Sequence, residues 1–241
     1  MKRSIILPNF SKYHVVKLGQ LLYNTIIAMA LAQFVGGSMK KLVTISRQFG
    51  SGGRIIGKIV AEKLGVKFYD KEIIEMATEE SGIDKSIFEG EELRAKNSFT
   101  YGLSSAICLG ESISADPMSI NDRVFVAQYK VIEKIAESGE GVIVGRCADF
   151  VLKDVPGVTN IFIHGEKQDR IRRCIEEYGE QPETIEELVK TYDKARENYY
   201  NYHTSFKWGD IKNYNLSLNS SYIDYEQAAN LIIDYIEKRK Y

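Results

Sequence analysis

The stretch Thr44–Gly57, "TISRQFGSGGRIIG", decides how this chain folds. It begins with the alternating residues of a short strand, passes through three glycines and continues with a helical pattern. A strand, a glycine-rich turn and a helix that begins inside the turn bring backbone N–H groups and the positive end of a helix dipole to one point. The stretch therefore predicts a phosphate-binding loop, in which Gly50, Gly52 and Gly53 allow a close approach of the backbone.

Short apolar runs alternate with amphipathic helical patterns along the rest of the chain. This alternation predicts an α/β protein whose parallel sheet is covered by helices on both faces. The candidate strands are Leu42–Ser46, Lys67–Tyr69, Val142–Gly145, Asn160–His164 and Asn215–Leu218. The last helix is expected to begin after the capping residue Asp224. Its expected apolar stripe consists of Ala228, Leu231, Ile232 and Tyr235.

Composition restricts the class of protein. The 241 residues are 44% hydrophobic and carry a formal net charge of −1, so the chain is long enough for one α/β domain and has no global charge that favours nucleic acid. The three cysteines, Cys108, Cys147 and Cys174, are odd in number and far apart. We interpret them as reduced thiols and expect a cytoplasmic protein without a nucleic-acid partner.

Residues 1–38 differ from the remainder of the chain. They contain basic residues, an interrupted apolar run and the closing sequence Gly36-Gly37-Ser38. Three interpretations stay open: a leader that precedes the functional start at Met39, an amphipathic helix, or a membrane or export signal. Polar residues inside the run argue against a membrane span. We expect one domain over 39–241, with a substrate-covering insertion at 81–121 and a lid region at 166–208.

Five motifs in a fixed order resemble the cytidylate kinase-like family, a branch of the P-loop nucleoside monophosphate kinases. They are "VTISRQFGSGGRIIGKIVAEKLGVKFYDKEII" (43–74), "GVIVGRCADFVL" (141–152), "DRIRR" (169–173), "DKARENYYNYH" (193–203) and "YNLSLNS" (214–220). The resemblance implies a three-layer P-loop kinase fold with a five-stranded parallel sheet and a mobile lid. It also implies ATP and Mg²⁺ as cofactors, and phosphoryl transfer to a nucleoside monophosphate such as CMP or to another small acceptor.

The loop departs from the family pattern at two positions. Gly53 stands where the resembling kinases have a lysine that neutralises the β- and γ-phosphates, and Ile55 stands where they have a hydroxyl that holds the metal. Backbone groups around Ser51 are still expected to hold the phosphates of ATP. A replacement cation is needed, and the candidates are Arg47 and Arg54, because a guanidinium binds phosphate oxygens bidentately. Alternatively, Arg54 is a solvated residue of the first helical turn.

Two further strand ends carry candidate site residues. Asp70 follows a short strand, and the resemblance implies that it contacts the acceptor, although it is equally suited to cap the next helix. Arg146 follows an apolar strand and is expected to contact a ligand. Cys147 replaces the acid that follows this arginine in the family motif, and Asp149 is a substitute only if the turn allows it. The sequence therefore identifies no metal ligand.

The resemblance places lid arginines at Arg170, Arg173 and Arg196, which are expected to close over the transferred phosphoryl group. The alternative is a solvated helix face whose ion pairs contribute little stability. The neighbouring aromatic residues, from Tyr199 to Trp208, are expected to serve packing, and the alternative is that they stack a nucleotide base. A rival function is a nucleotide-binding regulatory module that has lost catalysis, since the loop lysine is missing. The sequence does not identify an oligomeric state.

Overall fold

Five short strands form one parallel sheet. They are β1 (Lys41–Arg47), β2 (Phe68–Tyr69), β3 (Glu140–Val144), β4 (Thr159–His164) and β5 (Leu216–Asn219). In the computed structural model, which describes residues 41–88 and 118–239, the strand order is β2-β3-β1-β4-β5. β1 lies in the centre, where Ile45 pairs with Val144 on one side and with Ile161 on the other. The ends of β1, β3 and β4 therefore meet at one edge.

Helices connect the strands. They are α1 (Gly53–Leu64), α2 (Glu72–Ser81), α3 (Ile120–Glu137), α4 (Ala148–Val151), α5 (Lys167–Glu176), α6 (Ile185–His203) and α7 (Tyr225–Lys238), with a 3₁₀ turn at Ile211–Asn213. Ser119 caps α3 through a hydrogen bond from the backbone N–H of Asp122. Asp224 and Gln227 form a reciprocal capping box at the start of α7, as the sequence predicts.

The main apolar core lies between one face of the sheet and the pair α1 and α7. Alternate residues of β1, Val43 and Ile45, are fully buried on this face. They pack with the buried faces of both helices, which include Ile56, Val60, Ile232 and Ile236. The opposite residues of β1 face α4, where Ser46 contacts Asp149. Helices thus cover both faces, and the predicted α/β class with a parallel sheet is confirmed.

The apolar stripe predicted for α7 is wrong at one residue. Leu231 is 47% exposed, whereas Ile236, which was not part of the predicted stripe, is buried. Positions 228, 232 and 236 are separated by four residues and share one face, while position 231 lies at the edge of that face. The helix and its cap were predictable, but its exact orientation against α1 was not.

The predicted domain organisation stays a prediction. The leader at 1–38 and most of the insertion at 81–121 lie outside the described residues. Apart from Asp154–Pro156, the described residues belong to one compact unit. None of the helices in the described part of the chain combines the length and the apolar character needed to cross a membrane.

Candidate active site

The glycine-rich stretch forms a tight turn between β1 and α1. Gly50 and Gly52 both have left-handed backbone conformations, with φ of 73° and 75°, and Gly52 is the N-cap of α1. The first N–H groups of an α-helix have no intrahelical acceptor, and no side chain caps this helix. These N–H groups lie at the positive end of the helix dipole. The segment therefore has the backbone geometry of an anion-binding turn.

Protein atoms pack closely against the back of this turn. A Cβ added at Gly50 would lie 2.6 Å from the carbonyl oxygen of Arg170 and 2.8 Å from the Sγ of Cys174. A Cβ added at Gly52 would collide with the ring of Tyr225. The sequence explains these glycines by the approach of a ligand. The structure adds a second reason, since α5 and α7 leave no space for side chains there.

Helices α5 and α6 hold the loop through Phe49. Its N–H donates to Oδ1 of Asp193 at 2.7 Å, and its carbonyl accepts from Nη1 of Arg170 at 3.0 Å. Arg170 and Asp193 also form an ion pair of 2.5 Å, and both side chains are largely buried. The ring of Phe49 stacks on Tyr192 at 4.4 Å and lies 5.6 Å from the guanidinium of Arg196. Arg170 therefore fixes the loop in this structure.

Arg173 supports the loop from the opposite side. Its guanidinium donates to the carbonyl and to the Oγ of Ser220, the latter at 3.0 Å. The Ser220 hydroxyl lies within hydrogen-bond distance of the carbonyl oxygens of Ser51 (2.8 Å) and His164 (2.9 Å). Ser51 in turn donates its hydroxyl to the carbonyl of Gln48 at 2.9 Å. These contacts link β4, the end of β5 and the loop into one network.

Arg54 points to an acid and away from the centre of the loop. Its Nε lies 2.5 Å from Oδ2 of Asp70, and the Arg54 side chain is 60% exposed whereas that of Asp70 is 11% exposed. Asp70 donates its backbone N–H to Glu72, and this hydrogen bond is the largest cause of the lowered pKa of the Glu72 carboxyl. Asp70 does not cap α2, whose N-cap is Lys71 without a side-chain bond.

Three arginines converge in a pocket at the carboxyl edge of the sheet. Arg47 ends β1, Arg146 follows β3, and Arg196 extends from α6 and donates to the carbonyl of Arg47 at 3.3 Å. The remaining lining residues are Ser46, Gly145, Cys147, Ala195, Tyr199, Tyr200 and Trp208. Guanidinium groups placed together at the edge where open α/β sheets bind ligands favour an anion with several oxygens.

The turn after β3 holds Arg146 in an uncommon backbone conformation. Gly145, Arg146 and Cys147 have φ of 76°, 56° and 55°, so three successive residues are left-handed. This conformation costs a residue with a side chain roughly 1–2 kcal/mol. Such strain persists where the surrounding structure requires it, and here it accompanies a side chain that lines the three-arginine pocket. The sequence contains no signal for this turn.

A buried carboxyl lies behind the pocket. Asp149 is 2% exposed, accepts a hydrogen bond of 2.6 Å from the hydroxyl of Tyr200 and lies 3.5 Å from Oγ of Ser46. Burial raises the pKa of Asp149, and the hydrogen bond from Tyr200 partly opposes this. Burial and the adjacent carboxyl raise the pKa of Tyr200. Tyr200 lies one helical turn after Arg196, so this buried bond also orients the part of α6 that carries Arg196.

The residues around the loop suit phosphate better than they suit a metal. Ile55 offers no hydroxyl, Ser51 directs its hydroxyl to a loop carbonyl, and Asp149 is buried behind Tyr200. The described residues contain no group of three His, Cys, Asp or Glu side chains that could hold a metal ion. The N–H groups of the first turn of α1 and the three arginines, in contrast, are donors of the kind that fit phosphate oxygens. A magnesium ion thus has no evident direct protein ligand here.

The structure therefore divides the predicted site residues into groups. It brings Arg47, Arg146 and Arg196 together, pairs Arg54 with Asp70, and engages Arg170 and Arg173 with the loop and its support. Sequence reasoning missed three features: the contact of Asp193 with the loop backbone, the buried pair of Asp149 and Tyr200, and the position of Trp208 in the pocket wall. The four-residue spacing of Arg196 and Tyr200 was the sequence signal available for the second of these features, the buried pair of Asp149 and Tyr200.

Comparison with solved structures finds similar folds. An uncharacterized protein from Eubacterium ventriosum ATCC 27560 is 27% identical, with a TM-score of 0.60, and the match covers 83% of this chain and 99% of that chain. A shikimate kinase from Acinetobacter baumannii is 14% identical, with a TM-score of 0.48 and coverage of 84% and 98%. A deoxyadenosine kinase from M. mycoides is 14% identical, with a TM-score of 0.43 and coverage of 82% and 99%.

Comparison with curated proteins finds no match. The model of the cytidylate kinase-like family matches residues 42–222, which include all five strands apart from Lys41, the glycine-rich loop and the three-arginine pocket. Since this match spans more than half of the sequence, the chain belongs to the cytidylate kinase-like family.

Proposed function

We propose that this protein transfers a phosphoryl group from ATP to a nucleoside monophosphate, with CMP as the first acceptor to test, or to another small acceptor. The observation that carries the proposal is the convergence of Arg47, Arg146 and Arg196 in one pocket. This pocket lies beside the N-terminus of α1, whose N–H groups suit the donor phosphates. Membership of a kinase-like family supports phosphoryl transfer to a small substrate as the type of reaction.

In the proposed reaction, an oxygen of the acceptor phosphate attacks the γ-phosphorus of ATP. A new P–O bond forms, the bond between the γ-phosphorus and the β–γ bridging oxygen breaks, and ADP leaves with that electron pair. An ionised phosphate acceptor needs no general base. Catalysis of this kind depends on positioning and on positive charge around the transferred group. The three arginines supply that charge.

The other predicted residues have different proposed roles. Gly50–Gly53 hold the donor phosphates through their backbone N–H groups. Asp70 remains the proposed acceptor-binding acid because it lies at the end of β2, and Arg54 orients it. Arg170 and Arg173 keep the loop in place, since their guanidinium groups bond to protein atoms around it. ATP is proposed to bring its magnesium ion, for which we assign no direct protein ligand.

The rival proposal is a nucleotide-binding module without catalysis. A specific observation favours it: the first-turn cation Arg54 is paired with Asp70, and the position of the metal-binding hydroxyl is Ile55. A regulatory binder would need the loop and the pocket but not transfer.

The two buried thiols, Cys147 and Cys174, are free, which agrees with the proposed cytoplasmic location.

A transfer screen with labelled ATP over the nucleoside monophosphates tests the proposal, beside calorimetry of ATP binding. We expect one acceptor to be labelled, and Arg146→Ala to reduce the rate about a hundredfold or more, the effect of removing one charge-stabilising group. Arg172→Ala is the matched control, because Arg172 is an exposed arginine of α5 that pairs with Asp169. ATP binding without transfer to any acceptor supports the rival, and the absence of ATP binding contradicts both.

A further inference from the structure

The side chain of Arg47 fills the space that a side chain at position 53 would need. A Cβ at Gly53 would lie 2.6 Å from Cβ and 3.2 Å from Cγ of Arg47. Gly53 is the first residue of α1 and does not have a positive φ, so its backbone conformation does not require glycine. Glycine also disfavours a helix relative to alanine. The stem of Arg47 is thus the structural reason for glycine at this position.

The head of the same side chain lies over a second glycine. A Cβ at Gly145 would collide with Nη1 of Arg47 and would lie 3.1 Å from its Cζ. The Arg47 side chain therefore runs from the first turn of α1 to the turn after β3. It ends in the pocket that Arg146 and Arg196 also line. Two positions without side chains leave room for one arginine at the mouth of the loop.

The charge of Arg47 is not neutralised by a carboxylate within the described part of the chain. Arg54 is paired with Asp70 and Arg170 with Asp193, whereas Arg47 forms no ion pair and donates no side-chain hydrogen bond among the described residues. Its neighbours in the pocket are two further guanidinium groups. An anion bound at this point would neutralise the charge of Arg47.

We infer that Arg47 supplies, from the end of β1, the cation that a lysine at position 53 supplies in the kinases that this chain resembles. The inference rests on the proposed function and deepens it, because it names the residue that contacts the β- and γ-phosphates. Gly53 and Arg47 form one unit: the loop position has no side chain, and the strand residue occupies that space and carries the charge. A guanidinium in this place binds two phosphate oxygens at once.

Moving the positive charge from position 47 to position 53 tests the inference. Calorimetry measures the binding of ATP and of tripolyphosphate, and thermal unfolding shows whether each variant is folded. Arg47→Met keeps a stem against Gly53 and removes the charge, and we expect it to weaken ATP binding by about 10- to 100-fold with an unchanged unfolding midpoint. Gly53→Lys alone places two side chains in one space and should also weaken binding. The double variant Arg47→Gly/Gly53→Lys removes the Cβ that a side chain at position 53 would meet at 2.6 Å. It should bind within about tenfold of the natural protein, since the ammonium group replaces the guanidinium.

Lys58→Ala is the control, because Lys58 is an exposed cation of the same helix that pairs with Glu62. ATP binding by Arg47→Met that equals that of the natural protein overturns the inference. A folded double variant that binds no better than Arg47→Gly overturns it as well. If the natural protein binds neither ATP nor tripolyphosphate, the proposed function fails and the inference falls with it. If the natural protein binds ATP and Arg47→Met binds it equally well, only the inference about Arg47 fails and the proposed function stands.

Discussion

The backbone at Arg146 adopts a strained conformation that places the arginine side chain in the pocket. Its φ of 56° lies in the left-handed region that favours glycine, and the neighbours Gly145 and Cys147 share this conformation. A protein that needed only a turn after β3 would gain stability from glycine at 146. The presence of an arginine in this strained conformation, with its side chain in the three-arginine pocket, agrees with its proposed contact with a ligand.

Arg146→Gly should separate stability from binding. Relief of the left-handed strain is expected to make the glycine variant about 1 kcal/mol more stable than Arg146→Ala, which keeps the strain. Both variants should lose at least about tenfold in affinity for ATP, because each lacks the same charge-assisted contact. Urea unfolding and calorimetry measure the two effects. A glycine variant no more stable than the alanine variant would show that the turn is not strained.

His203 makes stability depend on pH. Its side chain is 3% exposed, its ring stacks on Phe125 at 4.4 Å, and its Nδ1 lies 4.0 Å from a carboxylate oxygen of Asp122. Burial lowers the pKa of His203 to about 4 from an ordinary value of 6.5, and the attraction of Asp122 opposes this only in part. Between these values the unfolded chain takes up a proton that the folded protein resists. Stability is therefore full above pH 6.5 and is lost as the pH falls towards 4.

His203→Phe should remove this dependence, because phenylalanine keeps the stack on Phe125 and has no proton to bind. Relative to its own stability at pH 7, the variant should lose roughly 3 kcal/mol less than the natural protein at pH 4. Urea unfolding at pH 7, 5.5 and 4 provides the measurement. Asp149 has a raised pKa and so contributes a change of opposite sign, but it is present in both proteins and cancels in the comparison. Parallel pH curves for the two proteins would contradict the prediction.

At the scale of elements, α5 and α6 close on the loop and hold it through polar groups. Arg170 on α5 and Asp193 on α6 bond to each other and to both backbone groups of Phe49. A buried ion pair of this kind adds little stability relative to an apolar pair, but the loss of one partner leaves an uncompensated buried charge. The lid region of the sequence thus contains the clamp that keeps the glycine-rich turn in its shape.

Breaking this pair on one side should destabilise the whole protein. Asp193→Ala leaves the Arg170 guanidinium buried and unpaired, and removes the acceptor of the Phe49 N–H, so we expect a loss of about 3 kcal/mol or more. Glu62→Ala, which removes an exposed pair with Lys58 on α1, is the matched control and should cost less than about 0.5 kcal/mol. Urea unfolding at pH 7 measures both. Equal losses would mean that Arg170 is a solvated lid residue.

Elements were easier to predict than their contacts. The glycine-rich turn, the start of α1 and the capping box of α7 follow from residues close in sequence, and the structure agrees with all three. The partners of the arginines do not follow in this way. Arg170 and Asp193 lie 23 residues apart, and Asp193 bonds to Phe49 across 144 residues. Periodicity carries no information on such distances, so the sequence offered both Arg54 and Arg47 as replacement cations and did not predict the pairing of Arg54 with Asp70.

At the scale of the whole molecule, the strand order places two strand ends that carry arginines side by side. β1 lies between β3 and β4, so Arg47 and Arg146 meet although they are 99 positions apart in the sequence, and α6 adds Arg196 from above the same edge. The parallel alternation of strands and helices was enough to predict that candidate site residues would meet at this edge. The alternation was not enough to predict that Gly53 and Gly145, which have no side chains, leave room for Arg47 to extend across this edge.

Among residues 41–88 and 118–239, the core that supports this edge extends from Val43 to Ile236, and the motifs shared with the family begin at Val43. We therefore predict that a protein beginning at Met39 keeps the fold, with a change in unfolding midpoint of less than about 2 °C and the same affinity for ATP. The contrasting truncation ends the chain at Ser221 and removes α7, with its buried residues Ala228, Ala229, Ile232 and Ile236. Loss of the two isoleucines alone removes about 3–6 kcal/mol of apolar burial, so this protein should not fold. Thermal unfolding of both proteins provides the measurement, and a large loss of stability in the protein that begins at Met39 would assign residues 1–38 to the domain.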